Sequence, residues 1–140
     1  MNASAGETKC VMVLDDRLPV GLAVNTAGVL ALTLGREIDS IIGVDVEDAS
    51  GNVHRGITTH PIPILKADGD LIKEIRLRAS DADNLLIVDF TDAAQTTTTY
   101  DAYTSKIGAM STEELTYLGI ALYGDKKVVN RLTGSLPLLR

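Results

Sequence analysis

Apolar residues follow two spacings along this chain, and the alternation between them predicts strands and helices in turn. Residues 9–16 and 84–90 contain short apolar runs that end in aspartates, which is typical of buried strands that lead into loops. Residues 22–34 are apolar around nearly the whole circumference of a helix, so we expect a helix that is covered on more than one side and that ends at Gly35. From residue 70 to residue 80 the apolar residues recur at helical spacing and predict a second helix.

The middle and the last third of the chain carry further signals of both kinds. Residues 41–65 are typical of extended chain, with 48–52 as a turn between two strands, and Pro61 and Pro63 mark a strand end or a sheet edge. Residues 92–110 predict one helix, although the four threonines within it are weak helix formers. The pattern continues with a strand, a helix capped by Asp125 and an apolar tail that needs a docking place: 115–124, 125–134 and 135–140.

These elements predict one α/β domain over residues 1–140, in which helices flank a mixed sheet of four to five strands. Residues 1–8 are small and polar and are expected to be flexible. Hydrophobic residues make up 45% of the chain but aromatic residues only 4%, so the core must be built from Val, Leu, Ile and Ala. Such packing suits parallel or mixed α/β layers.

Composition narrows the classes of function. Nineteen acidic residues against 13 basic ones give a net charge of −6, so nucleic acid is not expected as a partner. Cys10 is the single cysteine, which excludes a disulfide framework and a cysteine metal cage and fits a reducing cytoplasm. The chain lacks an apolar run of membrane-spanning length and a signal-peptide pattern, so we expect a cytoplasmic protein with no membrane contact.

The candidate binding site follows from the positions of polar residues near strand ends. In open α/β sheets ligands bind beyond the carboxyl ends of the strands, and the two most apolar predicted strands both end in carboxylates there. The alternative interpretation is that these residues are helix caps and turn formers. Because acidic residues crowd this edge, a neutral or cationic polar ligand is favoured over an anion. The candidate ligand-binding residues are Asp16, Asn25, Thr26, Asp89, Thr91, Asp92 and Gln95.

Three other features have a structural and a functional interpretation. His54 and His60, with Asp45 or Glu47, have the residue types of a divalent-metal site, but hairpin surfaces commonly carry such polar pairs, and no metal or cofactor is expected. Cys10 is expected to be a small buried side chain rather than a nucleophile. The threonines at 96–99 offer hydroxyl groups to a phosphate or form a solvated stretch, and the solvated stretch is favoured.

Three stretches of the chain, residues 15–35, 87–95 and 117–140, resemble type 2 peptidyl-tRNA hydrolase, as does the order of elements. Over nearly its whole length the chain resembles an uncharacterised bacterial family of the same superfamily, the domain of unknown function numbered two thousand. The resemblance implies a four-stranded mixed sheet between helices and, in most members, a homodimer.

The resemblance breaks at two residues that would carry the hydrolase chemistry. The hydrolases have a Gly-Lys pair at the start of the first helix and a histidine two turns later. Gly21 matches the glycine here, but Leu22 stands in place of the lysine and Val29 in place of the histidine. An aspartate after the third strand of the hydrolases is matched by Asp92, with Gln95 following it.

The leading hypothesis is therefore a cytoplasmic protein with a peptidyl-tRNA hydrolase-like fold that lacks this activity and binds a small polar ligand or a protein partner. The first alternative is a hydrolase acting on an ester or amide, with a carboxylate as base. The second is a structural homo-oligomer or interaction protein that uses an apolar helix face. A homodimer is expected because a four-stranded sheet covers only one side of the apolar helix over residues 22–34.

Overall fold

The computed structural model describes residues 7–140, and residues 1–6, which belong to the segment expected to be flexible, lie outside the described part. A 3-10 turn precedes the last strand. The elements in chain order are β1 (Thr8–Asp15), α1 (Val20–Glu37), β2 (Val46–Glu47), β3 (Val53–His54), β4 (Ile64–Ala67), α2 (Gly69–Ser80), β5 (Leu86–Thr91), α3 (Asp92–Gln95), α4 (Tyr100–Gly108), β6 (Tyr117–Asp125) and α5 (Lys126–Thr133).

Four strands form one mixed sheet in the order β4-β1-β6-β5, which confirms the predicted α/β class and a four-stranded sheet. β1 and β4 are parallel, whereas β6 runs antiparallel to both of its neighbours, β1 and β5. The carboxyl ends of β1, β4 and β5 therefore meet at one edge of the sheet. β4 begins directly after Pro63 and is an edge strand, as the two prolines predict.

The two faces of the sheet carry two separate cores made almost entirely of aliphatic side chains. α1 covers one face, where Leu30 and Leu34 pack against Met12 and Leu14 of β1. α2 and α5 cover the other face, where Ile72, Ile75 and Val129 pack against residues of β1 and β6. Alternate residues of β1 thus serve opposite cores, as expected for a strand buried on both sides.

α1 differs from the sequence prediction in its end and in its surroundings. It continues through Gly35 to Glu37, and the residue after it, Ile38, packs in the same core as Leu34. The helix is also not covered on more than one side within the described chain, because Val24 is 66% exposed and Leu32 is 79% exposed.

The tail after α5 docks on the outer side of β4, as its apolar sequence predicts. The Lys66 N–H donates to the Pro137 carbonyl at 3.0 Å, and the Leu139 N–H donates to the Ile64 carbonyl at 2.8 Å. Leu136 packs against the α2 and α5 side of the sheet, whereas Leu139 packs against the α1 side. The tail therefore adds hydrogen bonds to an edge strand and closes both cores at that edge.

The predicted turn over residues 48–52 connects β2 to β3, but this hairpin forms its own two-stranded sheet and does not join the main one. We call residues 42–57 the arm. Both faces of the arm are exposed, and its cross-strand ion pair joins Arg55 to Asp45 at 3.0 Å. The exposed apolar residues of the arm are Ile42, Val44, Val46, Val53 and Ile57.

The single helix predicted over residues 92–110 is divided into α3 and α4. The Thr96 hydroxyl donates to the Asp92 carbonyl and the Thr97 hydroxyl to the Ala93 carbonyl, so the threonines end the first helix. Thr99 then caps the second helix, because its side chain accepts from the Ala102 N–H at 3.1 Å. β-Branched residues that bond to the backbone favour such breaks and caps over helix interiors.

None of the helices in the described part of the chain is both long and apolar enough to cross a membrane.

Cys10 is buried in β1, and burial raises the pKa of its thiol from 9.0 to about 11. Because the unfolded chain ionises at the lower value, the contribution of this group to stability is complete below pH 9 and is lost as the pH rises towards 11. We expect the free energy of unfolding to fall by about 1.4 kcal/mol per pH unit across this window.

Urea denaturation of the wild type and of Cys10→Ala at pH 8, 9, 10 and 11 isolates this effect from that of other titrating groups. The advantage of the wild type over the variant is expected to be constant up to pH 9 and to shrink above it. An advantage that stays constant up to pH 11 would contradict the expected ionisation.

Candidate functional site

A cavity of about 330 Å³ lies at the edge strand β5, bounded by α1 on one side and by the α3–α4 segment on the other. Val29 and Thr33 of α1 form one wall. Phe90 of β5 and Ala94 of α3 add apolar surface. The size is at the lower end of the range for small-molecule sites.

The opposite wall of the cavity is rich in hydroxyl groups. It is formed by the threonines at 97–99, by Tyr100 and by Tyr103. The two tyrosine rings meet edge to face, with their centroids 5.4 Å apart. Hydroxyl groups donate and accept hydrogen bonds, so this wall is suited to a polar ligand that has a flat or apolar body.

Asp89 is the charged residue of the cavity lining, and its carboxylate is partly neutralised. Its Oδ2 lies 3.3 Å from Nε of Arg76, and both side chains are about one quarter exposed. Burial raises the pKa of Tyr103, and the negative charge of Asp89 raises it further. The Tyr103 hydroxyl therefore stays protonated and remains a hydrogen-bond donor at neutral pH.

A second cavity of about 350 Å³ adjoins the first, since both are lined by Thr33 and Tyr100. Leu32 and Arg36 of α1 complete it. A third cavity, of about 240 Å³, is lined by residues of β1 together with His60 and Lys126, and it has the opposite charge character. The cavity at β5 is thus distinguished by its hydroxyl groups and by its single acidic residue.

Asp89 is the residue of the predicted site that lines the cavity at β5, among residues 7–140. Asp16 is exposed just after β1, and its N–H donates to the Ala67 carbonyl at 3.0 Å. Asn25 is exposed on α1, and Gln95 is exposed at the end of α3.

Three other residues of the predicted site are buried or hydrogen-bond to a neighbouring segment of the chain. Thr26 is buried, and its hydroxyl donates to the Leu22 carbonyl at 2.8 Å. The Asp92 carboxylate accepts from the Thr116 N–H at 3.1 Å and ties α3 to the start of β6. Thr91 is buried next to α3, and within the described residues its hydroxyl has no hydrogen-bond partner.

The threonine run could be recognised from the sequence, but the two tyrosines that share the cavity wall with it could not. Tyr100 and Tyr103 are spaced three residues apart in a predicted helix, which places them on one helix face and was the available signal. This spacing does not show which part of the fold the helix face lies against, because that depends on where the threonines break the helix. The favoured interpretation of the threonines as a solvated stretch agrees with the exposure of Thr96, Thr98 and Thr99, whereas Thr97 is half-buried.

The two histidines make separate contacts. His54 Nε2 lies 2.8 Å from Oδ2 of Asp48, whereas His60 Nε2 lies 2.8 Å from the Thr8 hydroxyl and its ring meets Tyr123 edge to face. In the part of the chain that the structure describes, no three His, Cys, Asp or Glu side chains are grouped so that they could hold a metal ion.

The family model of a protein of unknown function, DUF2000, matches residues 8–140, and the chain belongs to this family. Among solved structures, the chain is similar to a protein of unknown function from Agrobacterium tumefaciens, with a TM-score of 0.87 at 24% sequence identity. The match covers 94% of this chain and 97% of that chain. At this identity the likeness shows a shared fold. The comparison with curated proteins gives no significant match.

Proposed function

We propose that this protein is a non-hydrolytic binding domain whose cavity at β5 takes a small neutral or cationic polar ligand with a flat apolar body. The cavity itself is the observation that carries this function, because its volume of about 330 Å³ suits a small molecule and its walls combine hydroxyl groups with aromatic rings.

The charge of the lining decides which ligands are favoured. Among residues 7–140, the lining contains one acidic residue, Asp89, and no Lys, Arg or His. An anion would meet no cationic side chain in the lining itself, whereas an ammonium group gains the tyrosine rings and a share of the Asp89 carboxylate, which also pairs with Arg76. The net charge of −6 acts in the same direction.

The absence of hydrolysis is supported by the residues at the cavity. Val29, which stands where the resemblance to type 2 peptidyl-tRNA hydrolase would place a histidine, lines the cavity with an alkyl side chain. Leu22, in place of the lysine, packs against the core on the α1 side. We propose that the relation to the hydrolases is one of fold without shared chemistry.

The test uses three probes that share a ring and differ in charge: benzylammonium, benzyl alcohol and benzoate. Each is titrated to millimolar concentration into ¹⁵N-labelled protein, and the backbone amide shifts are followed by NMR. We expect benzylammonium to shift the amides of Thr97, Thr98 and Tyr100 most, benzyl alcohol less and benzoate least.

Two matched variants locate the binding. Thr98→Arg adds bulk and a positive charge to the cavity wall and is expected to weaken benzylammonium binding at least about tenfold. Thr104→Arg places the same change on an exposed position of α4 outside the lining and is expected to leave binding unchanged. A stronger response to benzoate, or no response at these amides to any probe, would overturn the proposed function.

A further inference from the structure

The cavity of about 240 Å³ lies on the β4 side of the sheet, where β1 extends beyond the start of β4. β1 begins at Thr8, whereas its pairing with β4 begins only at Met12, opposite Ile64. Residues 8–10 of β1 and residues 60–63 therefore bound a gap in the sheet edge. We call this cavity the edge gap, and it is lined by both segments and by Lys126 of α5.

Proline keeps the edge gap open. The Met12 N–H donates to the Pro63 carbonyl at 3.0 Å, so Met12 directs its backbone groups towards β4. Cys10, two residues earlier, directs its own N–H and carbonyl to the same side. In a parallel ladder the Cys10 carbonyl would accept from the N–H of residue 63, and proline has none. Among the described residues the Cys10 N–H also finds no acceptor outside the strands, so Cys10 presents a donor and an acceptor to the edge gap.

The side chains around the edge gap are cationic or neutral. Lys9, Lys126 and His60 line it, and no Asp or Glu of residues 7–140 does. Lys9 is half-buried, and its Nζ donates to Oδ1 of Asn130 at 2.7 Å, which is a neutral partner. The ion pairs of the described chain include neither Lys9 nor Lys126. A half-buried ammonium group without a carboxylate beside it favours a bound anion as its partner.

Two acidic residues, Glu7 and Asp125, lie beyond Lys126 in an adjoining cavity of about 300 Å³. The Asp125 carboxylate accepts from the N–H groups of Lys127 and Val128 and so caps α5. Glu7 is exposed, and solvent screens its charge. Because neither carboxylate lines the edge gap, the charge within the gap stays positive.

We propose that the edge gap binds a small oxyanion that carries a hydroxyl group, of which hydrogen phosphate is the simplest. Lys9 and Lys126 supply the positive charge. The Cys10 N–H donates to one oxygen of the anion, and the hydroxyl group of the anion donates to the Cys10 carbonyl. A volume of about 240 Å³ is below that of most small-molecule sites, so the ligand is small. The site is independent of the cavity at β5, which lies at the other edge of the sheet.

Four small probes separate the effect of charge from that of the hydroxyl group: phosphate, glycolate, acetate and methylammonium. Each is titrated into ¹⁵N-labelled protein at pH 7 and constant ionic strength, and the Cys10 amide is followed by NMR. Phosphate and glycolate are expected to bind with millimolar affinity. Acetate is expected to bind about threefold more weakly than glycolate, because it lacks the hydroxyl group that the Cys10 carbonyl accepts. Methylammonium is expected to leave this amide unshifted.

Three lysine variants that change the net charge equally locate the site. Lys9→Gln is expected to weaken phosphate binding at least about tenfold, because it removes a charge-assisted hydrogen bond. Lys126→Gln, at an exposed position that tolerates the change, is expected to weaken it about threefold. Lys127→Gln, which lies outside the edge gap, is the matched control and is expected to leave the affinity unchanged. Circular dichroism checks the fold of each variant.

Pro63→Ala tests the backbone part of the site without a change in charge. The variant restores an N–H opposite the Cys10 carbonyl, and this N–H is expected to take the place of the ligand's hydroxyl group. The advantage of glycolate over acetate is then expected to disappear, while both anions still bind.

Three results contradict the oxyanion site. The first is a Cys10 amide that neither phosphate nor glycolate shifts at tens of millimolar. The second is equal affinity of the wild type for acetate and glycolate, which removes the role of the Cys10 carbonyl. The third is a loss of phosphate affinity in Lys127→Gln as large as in Lys9→Gln and Lys126→Gln, which indicates a general effect of charge rather than a site.

Discussion

Peptidyl-tRNA is expected to remain intact when it is incubated with this protein, with turnover at least about 10²-fold below that of a true type 2 hydrolase. Leu22 and Val29 supply neither the cationic nor the imidazole side chain of the hydrolases, and general acid–base catalysis is typically worth about 10² to 10⁴ in rate. The net charge of −6 also disfavours capture of the tRNA backbone.

The measurement is the release of labelled peptide at substrate concentrations where a true hydrolase is fast. A reaction that contains both proteins is the control, because it shows that the substrate is cleavable and that this protein does not inhibit. Turnover near that of the true hydrolase would contradict the expectation, since another pair of groups would then have to supply the base and the phosphate contact.

Removal of residues 136–140 is expected to lower the free energy of unfolding by about 3–5 kcal/mol. The truncation removes the packing of Leu136 from one core and of Leu139 from the other, together with the two backbone hydrogen bonds to β4. Each leucine contributes about 1.5–3 kcal/mol when fully buried, these two are partly buried, and each hydrogen bond adds about 0.5–1.5 kcal/mol.

Urea denaturation followed by circular dichroism measures this loss. Leu138→Ala is the matched control, because Leu138 lies between the two packed leucines but is 45% exposed, and the variant is expected to cost less than about 1 kcal/mol. A truncated chain with the midpoint of the full chain would show that the tail rests on β4 without stabilising it.

The secondary structure could be predicted where a local pattern and its tertiary surroundings agree. β1 and α2 lie close to their predicted places because their apolar spacing and their caps favour the same structure, and Asp68 caps α2 by accepting from the Leu71 N–H. α1 extends beyond the prediction because Ile38 packs in the same core as Leu34, which outweighs the cost of about 1 kcal/mol for a glycine inside a helix.

The candidate site could be predicted only in part, for a reason of the same kind. A position near the end of an apolar strand can be read from local sequence. Asp89 was a candidate for this reason, and it lines the cavity. The opposite wall depends on a break at Thr97 and on α4 folding back towards β5. No short-range spacing encodes that contact, so Tyr100 and Tyr103 were not among the predicted residues.

The position of β6 in the sheet has a consequence for the order of folding. β6 is an inner strand that pairs with β1, with Gly119 opposite Leu14 and Asp125 opposite Thr8. Nearly the whole described chain therefore separates these two strands in sequence. Until β6 leaves the ribosome, β1 has only the short strand β4 as a partner within the described sheet. Pairing at such sequence separation is slow because it must overcome a large loss of chain entropy. During synthesis the apolar residues of β1 and β5 therefore stay open to chaperones until the last quarter of the chain has been made.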